Sequence, residues 1–387
     1  MTLKKIGIIG TVGIPAKYGG FETLTEHLTQ HFGHRLDLTV YCSSKAYADK
    51  LKTYNNATLK YIPLKANGLQ SIPYDIISLF KAAQTNDTIL ILGVSGCVIL
   101  PVFRLFYKKK SLIINIDGLE HRREKWNKMV RMFLKYSEKL AVKYADTIIT
   151  DNKAIEQYVI DEYGRWSALI TYAGDQVRNL VLEEETREKY QLHDKYALKV
   201  CRIEPENNIH LILEAYAEIQ DSLVIIGNWN NSKYGIQLKK HYSTYKNINL
   251  LDPIYDPNIL NQIRSNCAVY LHGHSAGGTN PALVEAMNLG LPVFAFDCVY
   301  NRATTINEAR YFKDKEDLKM LVKSVSPEEC KLLGEKMLTI AKENYVWEKI
   351  STQYFNLLKN AEIKESILYE YYQLFQKTLR YLWYFYL

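Results

Sequence analysis

The chain has 387 residues, 47% apolar and 24% charged, enough for two cores in domains of about 150–200 residues each; that composition rules out a disordered or low-complexity protein. The net charge of +7 is concentrated in one place: residues 104–143 hold twelve Lys and Arg against four Asp and Glu, a surplus of +8, and the remainder is close to neutral. A chain basic throughout would point to nucleic acid; a single basic stretch points to a local anionic surface or ligand, and no nucleic-acid partner is expected.

In chain order, residues 5–10 (KIGIIG) read as a buried strand, followed by a glycine-rich loop at 11–20 and a helix carrying Phe21, Leu24, Leu28 and Phe32 on one face. That start is strand and loop and has no signal-peptide pattern. Further β-rich runs fall at 36–41, 58–62, 88–92, 111–116, 147–151 and 169–172, with helical stretches between most of them. The uncharged run 88–103 has sixteen residues, short of the roughly 20 that span a bilayer, and is divided by Gly93, Ser95, Gly96 and Pro101. A charged break near 174–190 marks a hinge, after which the alternation restarts at 196–201, 223–226, 248–250, 267–271 and 292–296. The expected organisation is an α/β Rossmann-like domain over 1–175, a second over 176–345, and C-terminal helices over 346–387. For the last of these, packing back on the N-terminal domain is expected for 346–358. The aromatic tail 367–387 could pack likewise, or its last twelve residues could lie in a membrane interface.

Cys42, Cys97, Cys201, Cys267, Cys298 and Cys330 show no CxxC and no Cys/His ligand spacing, so they read as small buried hydrophobes in a reducing cytoplasm. His272 and His274 alternate at a strand end, which suits a donor-sugar or structural role better than a metal site. Neither a metal nor a cofactor is expected.

In facing α/β domains, ligands bind outside the carboxyl ends of the strands, so the chemistry should lie in post-strand loops. Three loops qualify. The first, TVGIPAKYGGFET, places Gly19 and Gly20 where backbone N–H groups can approach an anion at a helix start, although it is neither GxGxxG nor a P-loop. The second, DGLEHRREKW, offers Asp117, Glu120 and His121 as candidate catalytic or positioning groups. The third, HGHSAGGTNPALVE, presents His274, Gly277, Gly278, Thr279 and Asn280 before a helix with Pro281 at its first turn, and Glu285 about one turn inside. Diphosphate donors followed by a carboxylate that can accept from a ribose diol describe a nucleotide-sugar site.

The third loop resembles the donor motif of GT-B glycosyltransferases of the family-4 type, in which two glutamates are separated by seven residues. Glu285 matches the second; the first falls on Gly277. The strings SAGGTNPALVEAM, IPAKYGGFET, NIDGLEHRREKW and CRIEPENNIHLILEA together resemble one bacterial branch, the rhamnosyltransferases of capsule and cell-wall polysaccharide assembly. The resemblance implies two facing doubly wound domains, retaining transfer without an agreed enzymic nucleophile, and a donor site at Arg202, His274, Gly277–Asn280 and Glu285 with Gly19 and Gly20 sharing the diphosphate. It also implies L-rhamnose from dTDP-rhamnose as donor and a sugar on a polyprenyl diphosphate as acceptor. The family's lysine five residues after the arginine is Asn207 here. The loop N–H groups and Arg202 then carry more of the phosphate charge, or Lys17 or Arg122 reaches in from the other domain.

Arg123, Lys128, Arg131 and Lys135, interleaved with apolar residues, suit docking to an anionic membrane, which fits a lipid-linked acceptor and a peripheral location at the inner face of the cell membrane. Two alternatives stay open: a hexosyltransferase using a UDP-sugar on the same fold, and a non-catalytic sugar-nucleotide-binding subunit of a polysaccharide assembly complex.

Overall fold

The computed structural model describes residues 3–17, 19–123 and 126–361; the aromatic tail lies outside them. Two parallel sheets form the frame. The first contains β1 (Lys5–Ile9), β2 (Asp37–Ser43), β3 (Thr53–Tyr54), β4 (Ala57–Ile62), β5 (Thr88–Leu92), β6 (Ser111–Asn115), β7 (Thr147–Thr150) and β8 (Ala168–Leu169), in the order β3-β4-β2-β1-β5-β6-β7-β8. β3 pairs with β4 antiparallel; the other pairs are parallel. Helices α1 (Gly20–Phe32), α2 (Ser71–Thr85), α3 (Leu100–Phe106), α4 (Lys128–Tyr144) and α5 (Lys153–Tyr163) belong to this domain. With helices covering both faces, central strands such as TILIL and SLIIN are apolar throughout and buried at every position.

The second sheet contains β9 (Ala197–Val200), β10 (Leu223–Ile226), β11 (Ile248–Leu251), β12 (Val269–His272), β13 (Val293–Phe296) and β14 (Arg310–Phe312), all parallel, in the order β11-β10-β9-β12-β13-β14. Its helices are α6 (Glu184–Lys189), α7 (Ile209–Ala217), α8 (Lys233–Tyr242), α9 (Pro257–Ser265), α10 (Pro281–Asn288), α11 (Val299–Thr304), α12 (Lys315–Ser324) and α13 (Pro327–Asn344). The last helix described, α14 (Trp347–Lys359), returns to the first domain, as the sequence led one to expect. Trp347 stacks on His27 of α1 at 4.0 Å, and Asn115 Nδ2 donates to Tyr354 Oη at 2.9 Å.

Strand order reverses between β1 and β5 in one sheet and between β9 and β12 in the other. A crevice opens at such switch points, so the loops after β1, β9 and β12 are the expected ligand loops. The hinge is tightly built. A Cβ on Gly174 would come within 2.5 Å of the α10 backbone, and Gln176 bridges Trp347 and Glu285. Among the described residues no helix is long and apolar enough to cross a membrane.

Candidate active site

The loop after β12, the expected donor loop, is shaped by local rules. β12 ends at His272; Gly273 and Ser275 are laced to the loop after β9, Asn208 Nδ2 donating to Gly273 O and Ser275 N–H to Glu206 O. Asn280 caps α10 by accepting from Ala282 N–H at 2.9 Å, and Pro281 fills the first helical position, where a missing N–H costs nothing. Gly277 has φ +124°, where side chains are strained, so the wider family's first glutamate could not stand here without a change of backbone. The imidazole of His274 lies 3.6 Å from where a Cβ would be. Backbone and imidazole therefore replace a carboxylate at this point.

Glu285 stands one turn inside α10 as expected, but it already has partners. Its Oε2 lies 2.9 Å from Arg264 Nη1 on α9, and its Oε1 accepts from Gln176 Nε2 at 2.6 Å. An ion pair with an arginine only 4% exposed fixes the carboxylate's direction and leaves its remaining lone pairs for a ligand.

The loop after β6 meets the loop after β12 directly. After β6, Asp117 and Leu119 both take positive φ, and Leu119 buries in the core, pinning the turn. A Cβ on Gly118 would come within 2.7 Å of Gly277 and Gly278. Burial pushes the Asp117 carboxyl above the usual carboxylate range, an effect that Arg123 partly offsets. Glu120 is committed to Arg123, its Oε2 2.5 Å from Arg123 Nε, and accepts from Trp126 Nε1. His121 points away from the donor loop: its Nδ1 lies 2.9 Å from Glu138 Oε2 of α4, beneath Tyr158 and Tyr163. Burial alone would raise the Glu138 carboxyl; the hydrogen bonds from His121, Tyr158 and Tyr163 outweigh it and hold it low. His121 thus anchors its loop to α4.

Arg123 corrects the membrane assignment. Its side chain is only 10% exposed and sits within electrostatic reach of Glu120, Asp117, Glu204 and Glu206, because the loop folds inward into the cleft. Lys135 is also engaged: it bonds Tyr158, pairs with Glu162 at 2.9 Å and lies 3.7 Å from Glu138. Lys128 and Arg131 remain exposed. Of the two extra cations considered, Lys17 Nζ donates to Ala46 O, and Arg122 crosses to the second domain, where it donates to Tyr300 Oη. Asn207 is turned onto Arg202 O. Arg202, half-exposed, lies 3.8 Å from Glu204.

Gly19 caps α1 with φ +129°, but a Cβ there would overlap the Glu22 carboxylate, which accepts from Val12 N–H and Thr11 Oγ1. That carboxylate lies against the stretch the sequence assigns to phosphate.

Two residues that the sequence reading passed over complete the site. Asp151 and Asn152 directly follow β7, a post-strand position that the general rule covers. Asn152 caps α5 through Oδ1 and crosses to α11 through Nδ2, donating to Tyr300 O and Thr304 Oγ1. Thr279 Oγ1 donates to Asp151 O at 2.5 Å, and the Asp151 carboxyl occupies the space a side chain on Gly278 would need. Burial, then the nearby Asp117, push the Asp151 carboxyl well above its ordinary range. Buried atoms without hydrogen bonds gather here: Asp151 Oδ1, both Glu206 oxygens and His272 Nε2. Among the described residues no group of three or more His, Cys, Asp or Glu is placed to hold a metal ion.

Asp117 allows a direct test. Its folded-state pKa is raised, so the native state is penalised above that value, and the penalty disappears below the unfolded value of about 3.9. Asp117→Asn, tolerated at positive φ, should melt higher than wild type at pH 7–8, with the gap closing as the pH falls toward about 4. If Asp117 moves a proton, turnover drops by about 10²–10⁴ in the same variant. Melting curves and initial rates on one preparation check both.

Two facing Rossmann-like domains with loops meeting at their switch points form the GT-B architecture. Residues 3–175 match a domain of unknown function, and residues 183–335 match the family described as glycosyl transferases group 1. An uncharacterized glycosyltransferase of Methanocaldococcus jannaschii is 21% identical over 386 residues, covering 87% of this chain and 93% of that protein. Among solved structures, sucrose-phosphate synthase of Thermosynechococcus elongatus superposes with a TM-score of 0.73 at 16% identity, over 92% of this chain and 98% of that one. Anabaena HepE in complex with UDP gives 0.67 at 14% identity, over 92% and 99%. The structural likenesses establish the fold. With the group 1 domain in its C-terminal half, the chain is a glycosyltransferase.

Proposed function

We propose that this enzyme transfers a 6-deoxyhexose, L-rhamnose from dTDP-rhamnose, to a lipid-linked sugar at the inner face of the cell membrane, in bacterial surface-polysaccharide synthesis and without a metal ion. The observation that carries the donor sugar is Gly277: with φ +124° and the His274 ring beside it, the sugar end of the site has backbone and imidazole where a carboxylate would clamp a hexose hydroxyl. Such a surface suits a donor that presents a methyl group in place of a hydroxyl. The nucleotide lies on the C-terminal domain, with the diphosphate at Gly278–Asn280 and the ribose at Glu285; the acceptor approaches Asp117. A UDP-hexose donor is the second reading, favoured by the solved structures of HepE bound to UDP and glucose. The test is slow donor hydrolysis in EDTA with dTDP-rhamnose, UDP-glucose and GDP-mannose. Release of rhamnose and dTDP supports the reading; turnover of UDP-glucose alone replaces it. Loss of all activity in EDTA, restored by Mg²⁺ or Mn²⁺, removes the metal-free mechanism, and no release from any donor leaves a binding subunit.

The membrane part of the proposal rests on α3 and α4. Val102, Leu105 and Phe106 (73% exposed) on one helix and Met129 (80%), Met132 and Tyr136 on the other are exposed beside Lys109, Lys128 and Arg131. Apolar side chains rimmed by cations match a bilayer interface with anionic headgroups. Lys128→Glu with Arg131→Glu should weaken binding to anionic vesicles by at least about 30-fold, at about 1 kcal/mol for each basic residue lost and with the added repulsion of two carboxylates. Phe106→Ser with Met129→Ser should weaken it independently of salt. Unchanged sedimentation with vesicles in both variants would remove the membrane from the proposal.

A further inference from the structure

Lys199 lies on β9, the strand that flanks the switch point of the second sheet, and is 1% exposed. Lysine is almost never buried to this degree without a partner. Among the described residues Lys199 has no ion pair and no hydrogen bond. Its titratable neighbours are Cys201 just past the same strand, His272 at the end of β12 and His274 in the loop that follows. The two imidazoles stack at 5.7 Å, and His272 Nε2 is buried with no partner. Burial, then Lys199 itself, hold both histidines well below their ordinary range, so they are neutral and supply no counter-charge.

A lone buried ammonium costs several kcal/mol, and a fold that carries one on a central strand beside its ligand crevice has an anion to meet there. Burial lowers the pKa of this ammonium, and an anion arriving beside it restores the charged form. The position limits the anion. Arg202 follows three residues later, and the loop after β12 carries His274 and then Gly278, Thr279 and Asn280 at the start of α10. Backbone donors at a helix start together with two cations suit a diphosphate.

We propose that Lys199 binds the diphosphate of the sugar nucleotide from the floor of the C-terminal domain, supplying with Arg202 the positive charge that Asn207 cannot. This rests on the donor-site reading given above. In this role Lys199 is a binding residue that also stabilises the leaving nucleoside diphosphate as the glycosidic bond breaks.

The test is calorimetry with UDP, UMP, dTDP and dTMP on the wild type, Lys199→Met and Lys199→Gln. In the wild type the preferred diphosphate binds more tightly than its monophosphate. In Lys199→Met its affinity falls at least ten-fold while the monophosphate changes less than three-fold, and the melting temperature without ligand stays level or rises, because an unpaired buried charge has gone. Lys199→Gln shows the same loss of discrimination and decides the matter if the methionine variant fails to fold. Diphosphate preference retained in the variants, or equal losses for both nucleotides, overturns the Lys199 assignment alone. Absence of binding by every nucleotide to the wild type overturns the donor reading and this assignment with it.

Discussion

Replacing Glu285 with alanine is expected to weaken the nucleoside diphosphate by one to two orders of magnitude and to destabilise the second domain at the same time. The two effects have different origins. With Arg264 and Gln176 already on its oxygens, Glu285 is counted as making one charge-assisted hydrogen bond to the ribose, worth roughly 1.5–3 kcal/mol, which at 1.4 kcal/mol per decade gives the loss of affinity. Independently, the substitution leaves Arg264, 4% exposed, without its carboxylate. Breaking a buried pair from one side costs about 3–5 kcal/mol, and the low end applies because Glu285 keeps some solvent contact, so the melting temperature should fall on the order of 8 °C. A double variant separates the origins. Glu285→Ala with Arg264→Met removes both charges and should recover most of the stability while nucleotide affinity stays low. Calorimetry and melting curves on single and double variants check this. Recovery of nucleotide binding in the double variant would make Glu285 a brace for α9 and α10 with no contact to the ribose.

Gly278→Ala should abolish most turnover while leaving each domain folded. Gly278 lacks the positive φ of Gly277, so alanine is not strained there by its own backbone. The obstacle comes from the other domain: the new methyl group would overlap the Asp151 carboxyl, which Thr279 holds through the Asp151 carbonyl. Either the buried Asp151 carboxyl turns away or the domains part by an ångström or more where the loop after β6 meets the loop after β12; the expectation is that they part, and misplacement of about 1 Å costs on the order of 10²-fold in rate. Small-angle scattering should report a larger radius for Gly278→Ala, and Asp151→Ala in the same chain should bring it back by clearing the space. A variant that closes and turns over normally would show that this contact does not govern the cleft. Gly277→Ala is the contrast, since it meets only the edge of His274 at 3.6 Å and its penalty is backbone strain.

The frame of the protein was written locally. Apolar runs such as KIGII and TILIL can only be strands covered on both faces, and Asn280–Pro281 before an apolar helix declares an N-terminus. The form of the loop after β12 was legible for the same reason: glycines, a cap and a carboxylate one turn on are a contiguous pattern. Partnership across the chain was not. That Glu285 pairs with Arg264 and Gln176, that His121 leans on Glu138, that Arg123 folds into the cleft while Lys128 stays outside, and that Asp151 sits against Gly278 each depend on residues 17–127 positions apart or on which way a loop turns. Charge in a sequence has no direction. Arg123 and Arg131 read as one basic stretch, yet one follows a turn pinned by buried Leu119 and the other rides the outer face of α4. Sequence periodicity fixes which face of an element is apolar, because that depends on near neighbours. Only the packing of the two sheets decided which polar side chains share the cleft, because burial and electrostatic pairing depend on distance in space.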